Sequence, residues 1–206
     1  MYKNLQIKKQ GTIKSKTFLA LHDQMTQDGA SICNGHCYGL FDANDTQVGV
    51  AVFHSVSAWQ TVKGCFGLDN MEQKDFWELS RVVMDEDHNT DEWKSWFLIR
   101  CIDLLTIEVD VRAVFAYVNS EVETGTYLPP AGFKYYGLTM PRTDFYAKQA
   151  DGTYKKQSRG KTKGVDGKWL PRPRKHRYVL TFDEGLKTSW QAEPNPTSNG
   201  GNNHDN

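Results

Sequence analysis

The sequence predicts an α/β (α+β) domain in which helices flank a mixed central sheet, and three observations lead to this class. Apolar residues make up 38% of the 206 residues, which is enough for a core and excludes wholesale disorder. Residues 36–54 have the pattern of a hairpin. Residues 77–118 have the pattern strand, helix, strand, and a unit of that length joins parallel strands.

The N-terminal elements follow from apolar spacing and turn residues. A short amphipathic helix is predicted over 14–25, because Phe18, Leu21 and Met25 recur at helical spacing. Asn34-Gly35 is typical of a turn, and two strands follow over 36–42 and 47–54 with a polar turn between them. Residues 55–74 show no regular pattern.

The middle of the chain contains the strand–helix–strand unit. The first strand is predicted over 77–84, and Asn89 with Glu92 three residues later indicates an N-cap for a helix over 91–107. Residues 111–118 are almost all apolar, as expected of a strand buried on both faces of a parallel sheet. The apolar stripe of the helix comprises Trp93, Trp96, Phe97, Cys101 and Leu104.

The C-terminal third predicts irregular structure followed by a closing strand. A short helix after Asn119 leads through the turn Ala131-Gly132 to a strand over 133–138. Residues 142–174 are rich in glycine and charge and are predicted to form a long basic loop, inserted before a strand over 176–182. Residues 1–190 then form one domain. Residues 191–206 contain a single small apolar residue and predict a disordered tail.

The net charge of zero hides a strong segregation of charge. Residues 142–177 carry 12 Lys and Arg against three acids, or +9, so the remainder carries 13 basic and 22 acidic residues, or −9. Aromatic side chains lie between these cations, a combination that suits a phosphate backbone with exposed bases. We therefore predict DNA as a partner. The candidate contacts in this segment are Arg142, Lys155, Lys156, Arg159, Lys161, Arg172, Arg174 and Lys175.

Other patterns limit the environment of the protein. No apolar stretch approaches the ~18 residues of a membrane span, and the N-terminus lacks the apolar core of a signal peptide. We expect a cytoplasmic protein whose four cysteines are reduced. Cys33, His36 and Cys37 form C-x-x-H-C, but a strand would point His36 and Cys37 to opposite faces, so we expect no metal there.

Residues 120–138, SEVETGTYLPPAGFKYYGL, resemble the GNAT acyltransferase element in which a short helix with a tyrosine runs into an A-G-F turn. Four blocks narrow this resemblance to the phage Mom family of DNA-modification proteins, a divergent GNAT branch. They are QVGVAVFHSVSA, FWELSRVVMDED, FAYVNSEVETGTYLPPAGFKYYG and KHRYVL. The last block resembles an H-R-Y strand and adds His176, Arg177 and Tyr178 to the candidate DNA-binding residues.

The resemblance implies a transferase that adds a carbamoylmethyl group to the exocyclic amine of adenine in DNA. Such a mark protects phage DNA from host restriction, and the protein would work in the host cytoplasm. The chain departs from the family pattern at two places. Asn119 stands where an acid is expected, and residues 121–123 stand where Q-G-H is expected.

Four residues are the catalytic candidates. The resemblance implies that Tyr127 acts as a general acid near the reacting centre. Arg81 lies within an apolar strand and requires an anionic or carbonyl partner, either a substrate group, Glu78 or another structural acid. His22 matches a site-lining histidine of the family, with His36 as its competitor. Asn119 ends the buried strand.

The cofactor and the exact function stay open. A GNAT enzyme holds the diphosphate of acetyl-CoA in a glycine-containing loop between strand and helix. The loop here, MDEDHNTDEW, has no glycine and five acids, which would repel a phosphate. Acetyl-CoA or another acyl donor remains open. One alternative is a GNAT N-acetyltransferase acting on a protein or small-molecule amine, and another is a non-enzymatic nucleic-acid-binding protein on a GNAT shell. The oligomeric state is undetermined.

Overall fold

The fold is a seven-stranded mixed sheet with helices on both faces, beside a smaller three-stranded sheet. The computed structural model describes residues 4–27, 34–69, 74–157 and 159–196. The predicted class, α+β with a mixed central sheet flanked by helices, is confirmed. The strands are β1 (Gln6–Gln10), β2 (His36–Phe41), β3 (Gln47–Ser55), β4 (Phe76–Met84), β5 (Ala113–Asn119), β6 (Lys134–Leu138), β7 (Arg142–Lys148), β8 (Tyr154–Gln157), β9 (Gly167–Arg172) and β10 (Lys175–Thr181). The α-helices are α1 (Thr12–His22), α2 (Gln24–Gln27), α3 (Trp59–Phe66) and α4 (Asp91–Glu108).

The large sheet has the strand order β1-β2-β3-β4-β5-β10-β6, and β4 with β5 is its parallel pair. The strand–helix–strand prediction is thereby confirmed. Helix α4 covers one face through Phe97, Leu98 and Cys101. Helices α1 and α3 cover the other face, where Phe18 and Leu19 pack on β3 and Phe66 packs on Phe76 and Phe115.

Several local predictions differ in detail from the structure. Strand β1 and helix α3 were not predicted, because neither has a clear apolar period. The N-cap of α4 is Thr90 rather than Asn89, and its side chain accepts from the amide of Trp93. The short helix expected after Asn119 is a series of turns that ends in a 3-10 helix over Pro129–Ala131. Gly132 follows it at φ 91°, a left-handed conformation that favours glycine.

The basic segment forms a small sheet and not the long loop that the sequence predicted. Strands β8, β7 and β9 form an antiparallel three-stranded sheet, the second sheet, in which Phe145 packs against Trp169 with the two rings tilted. The sequence does not reveal these strands, because nearly every position of β8 and β9 is exposed and no apolar alternation runs along them.

The chain after β10 returns along the large sheet. Trp190 packs on Phe115 and Tyr136, and the amide of Glu193 donates to the carbonyl of Tyr135 at 3.1 Å. The first residues of the predicted tail therefore lie against β6, whereas residues 197–206 lie outside the described part of the chain. Among the described residues, no helix is long and apolar enough to cross a membrane.

Candidate active site

The candidate site is a groove where β4 and β5 stop pairing. The two strands are in register from Phe76–Ala113 to Leu79–Ala116, and their remaining residues diverge. An opening of about 130 Å³ lies between the diverging ends and is lined by residues from both faces of the sheet. It adjoins a central cavity of about 390 Å³ that also contacts the second sheet. We call these two spaces together the groove.

A β-bulge determines which β4 side chains face the groove. Val52 of β3 pairs with Arg81, but the next β3 residue, Phe53, pairs with Leu79, so Ser80 is the extra residue. Without the bulge, Glu78 and Arg81 would point to opposite faces of the sheet. With it, both side chains line the central cavity.

Glu78 has the environment of a general base. Burial raises the pKa of its carboxyl group, and the nearby His54 and Lys175 oppose that shift only in part. Burial also lowers the pKa of the Lys175 ammonium, while Glu78 acts to raise it. A carboxylate with raised proton affinity in a cavity can accept a proton near neutral pH.

His54 is the histidine of the groove. It is the register partner of Glu78 on β3, and its side chain is 6% exposed. Its Nδ1 lies 2.7 Å from the carbonyl oxygen of Ser55, which can only accept, so Nδ1 donates and Nε2 stays available. Sequence reasoning missed His54, although it ends the apolar strand QVGVAVFH, which carries part of the family resemblance.

Tyr127 and Asn119 lie at the opening between the strands. Tyr127 is buried on the α4 side, and the carboxylate of Glu123 is among the charges near its phenol. Burial and the neighbouring carboxylates raise the pKa of the phenol, so it is protonated at neutral pH. Asn119 ends β5 and lines both parts of the groove, with its Oδ1 accepting from the amide of Glu121 at 3.1 Å.

Arg81 binds a structural acid. Its Nε donates to Oδ2 of Asp23 at 2.9 Å, and its Nη1 donates to the carbonyl of Ser80 at 2.6 Å. Asp23 follows α1 and also accepts from the hydroxyl of Thr26 at 2.6 Å. Of the partners that the sequence left open, the structure thus selects an acid from another element. Arg81 links α1 and α2 to the bulge.

Breaking this ion pair should destabilise the fold, because the two side chains are only 13% and 10% exposed. We expect Arg81→Gln and Asp23→Asn each to lower the free energy of unfolding by about 3 kcal/mol. The double variant should lose less than the sum of the two, as measured by urea denaturation in a double-mutant cycle. Unchanged stability in either single variant would show that Arg81 is not held by Asp23.

The other predicted histidines lie outside the groove. His22 is exposed on α1 and stacks on Phe18 at 4.4 Å between ring centroids. Nδ1 of His36 lies 2.8 Å from Oε2 of Glu108, and the His36 ring packs edge-on against Trp77 on the α4 side of the sheet. Neither residue lines the opening or the central cavity.

The second sheet sorts the predicted DNA-binding residues by face. Register partners share a face, and alternate residues along each strand do so too. One face, which we call the basic face, presents five cations, two tyrosines and one acid. They are Arg142, Lys148, Lys156, Lys168, Arg172, Tyr146, Tyr154 and Asp144. Lys155 lies on the opposite face, and Lys161 is exposed after β8.

The remaining predicted DNA contacts form hydrogen bonds within the domain. Arg174 donates to the carbonyl of Thr139 at 2.7 Å, and Arg177 donates to the carbonyl of Tyr136 at 2.5 Å. His176 and Tyr178 are 7% and 1% exposed. Their side chains bond to the Tyr135 hydroxyl and the Thr124 carbonyl. Because a phosphate contact requires exposure, we do not include His176 and Tyr178 in the nucleic-acid surface.

The start of α4 does not fit the diphosphate of coenzyme A, which this fold implies. The Thr90 side chain caps the helix, and Asp91 and Glu92 stand in its first turn. Asp85 caps the preceding 3-10 helix and pairs with His88 at 2.6 Å. A helix N-terminus attracts phosphate, but carboxylates in these positions repel it.

The described residues contain no group of three His, Cys, Asp or Glu side chains placed to hold a metal ion. The C-x-x-H-C sequence is only partly described, since Cys33 lies outside the described residues. Of its other members, Cys37 is buried and His36 pairs with Glu108.

A mixed sheet whose two central parallel strands diverge is the GNAT fold, and this fold is the structural class of the protein. The ribosomal-protein-S18-alanine N-acetyltransferase from Escherichia coli superposes with a TM-score of 0.50 at 13% identity, covering 89% of this chain and 99% of that one. A Bacillus subtilis acetyltransferase in complex with CoA superposes with a TM-score of 0.49 at 12% identity, covering 86% and 98%. No curated protein sequence matches. The family model of the Mom protein family matches residues 29–199, and the chain belongs to that family.

Proposed function

We propose that this protein is a DNA-modifying transferase that attaches a carbamoylmethyl-type group to the exocyclic amine of adenine. The observation that supports this proposal most strongly is the groove, where the half-buried Glu78, with its raised pKa, faces the basic face of the second sheet. Family membership supports the same function. Marking of adenine in this way would protect phage DNA from host restriction.

The chemistry assigns a role to each side of the opening. The amine nitrogen attacks an electrophilic carbon of the donor, so that a nitrogen–carbon bond forms while the bond to the leaving group breaks. Glu78, whose carboxylate form is favoured by the nearby His54 and Lys175, accepts the proton released by the amine and becomes a neutral carboxylic acid. Tyr127 is protonated on the α4 side and supplies a proton to the leaving group.

The basic face supplies the DNA contacts in this proposal. Tyr146 has Lys156 and Lys168 as its register partners on either side, so an aromatic ring lies between two cations. Cations would neutralise phosphates while the partly exposed ring stacks on a base. An amine inside a duplex is inaccessible, so the enzyme acts on a flipped base or on a single strand.

Nucleoside mass spectrometry tests the function directly. DNA from cells that express the protein should contain a modified deoxyadenosine whose mass increases by a carbamoylmethyl group. DNA from cells expressing Glu78→Gln serves as the control. Unmodified DNA together with acetylation of a protein or small amine would replace this proposal with the N-acetyltransferase alternative.

Salt-dependent binding tests the basic face. Each lost phosphate contact reduces the magnitude of the slope of log affinity against log salt by about one. The double variant Lys156→Gln/Lys168→Gln should therefore have a slope smaller by about two. The matched control is Lys14→Gln/Lys16→Gln, which removes two exposed lysines from α1. Equal slopes in the two double variants would mean that the basic face does not contact DNA.

A further inference from the structure

A third cavity, separate from Glu78, lies on the other side of Lys175. Its volume is about 550 Å³, and it is bounded by α3, the end of β5 and the start of the second sheet. Four of its lining residues are cations, namely Arg142, Arg172, Lys175 and Arg177. None of the described residues that line it is Asp or Glu.

Two of these cations face each other directly. Arg142 of β7 and Arg172 of β9 are register partners in an antiparallel pair, so their side chains leave the sheet side by side. Like charges in that position repel each other and destabilise the pair. Such an arrangement is costly in the free protein and becomes favourable when an anion lies between the two guanidinium groups.

The carboxylates beside the cluster neutralise it only in part. Asp144 is shared between two cations, since its Oδ2 lies 2.6 Å from Nζ of Lys156 and 3.7 Å from Nε of Arg172. Lys175 shares the cavity and has Glu78 on its other side. Arg177 is oriented by the Tyr136 carbonyl and by the ring of Trp190, 4.5 Å from its guanidinium carbon.

We propose that this arginine cavity is a phosphate-binding subsite, in which Arg142 and Arg172 clamp a phosphate or diphosphate group. Guanidinium groups bind phosphate oxygens through paired hydrogen bonds, which makes arginine better suited to this role than lysine. The subsite rests on the cavity itself and does not require that the transferred group be carbamoylmethyl. A DNA backbone phosphate and the diphosphate of a small-molecule donor are the two sources that share this chemistry.

Binding of inorganic pyrophosphate, measured by calorimetry, tests the subsite. We expect one pyrophosphate to bind per chain. The double variant Arg142→Gln/Arg172→Gln should bind pyrophosphate at least about tenfold more weakly than the parent protein. Lys155→Gln is the control, because it removes a cation from the opposite face of the same sheet, and its affinity should stay within about twofold. Failure of the protein to bind pyrophosphate, or equal affinity in the arginine variant, would overturn the proposal.

A stability measurement separates a binding clamp from a structural role. Because the arginines repel each other in the free protein, Arg142→Gln should leave the melting temperature unchanged or raise it while weakening pyrophosphate binding. If Arg142→Gln lowers the melting temperature as well as weakening pyrophosphate binding, Arg142 has a structural role and the proposed clamp is overturned.

Competition identifies the source of the phosphate. Displacement of pyrophosphate by a short single-stranded oligonucleotide assigns the subsite to DNA, and displacement by coenzyme A assigns it to the donor. Both outcomes support a phosphate subsite. Pyrophosphate binding in a protein that leaves adenine unmodified would retain the subsite and reject the proposed function, so the two failures are distinguishable.

Discussion

The Glu78→Gln variant should lose adenine modification by at least about 100-fold, because removal of a general base typically costs between 10²- and 10⁴-fold in rate. Glutamine is nearly isosteric and can still be accommodated among His54, Tyr117 and Lys175. Burial raises the pKa of Glu78, so the ionised carboxylate is unfavourable in the folded protein and its loss should not reduce stability greatly. We expect the melting temperature to stay within about 4 °C of the parent protein.

The raised pKa of Glu78 also predicts how adenine modification depends on pH. The base is active when deprotonated, so modification should increase with pH through a pKa above the ordinary range of a glutamate. That limb should vanish in Glu78→Gln. Glu108→Gln is the matched control, since Glu108 pairs with Lys9 and His36 on the α4 side, away from the groove. Full modification by Glu78→Gln would exclude Glu78 as the base.

The Tyr127→Phe variant should also reduce adenine modification by about 100-fold or more, since it removes only the hydroxyl group whose proton we assign to the leaving group. Its raised pKa keeps the phenol protonated at every pH at which the protein is assayed, so it acts as an acid and not as a base. The lost hydroxyl should cost at most about 2 kcal/mol of stability. DNA binding should be unchanged.

Tyr178→Phe is the control for this prediction. Tyr178 is 1% exposed, and its hydroxyl donates to the carbonyl of Thr124 at 2.6 Å without lining the opening. The change therefore removes a buried phenolic hydroxyl of similar structural value. Equal activity of the two variants, measured as modified deoxyadenosine at equal folded protein, would remove Tyr127 from the mechanism.

Periodicity and composition sufficed for the elements that carry the site. The apolar runs of β2, β3 and β5 and the stripe of α4 depend on local burial, which a single segment records in its own residues. The motif with Tyr127 and the block with Arg81 led to the GNAT fold and the Mom family, and both were confirmed. The +9 segment could be located from charge alone.

The sequence by itself determined the fold class, the family and the separation of a basic segment from an acidic remainder. The tertiary structure alone decided which groups meet: Asp23 with Arg81, His54 rather than His22 or His36 beside Glu78, and Arg142 opposite Arg172. The physical reason is that a side chain's own segment records whether it is buried, whereas its partner lies on another strand. A single extra residue, Ser80, turns Glu78 and Arg81 to the same side, and only strand register reveals it.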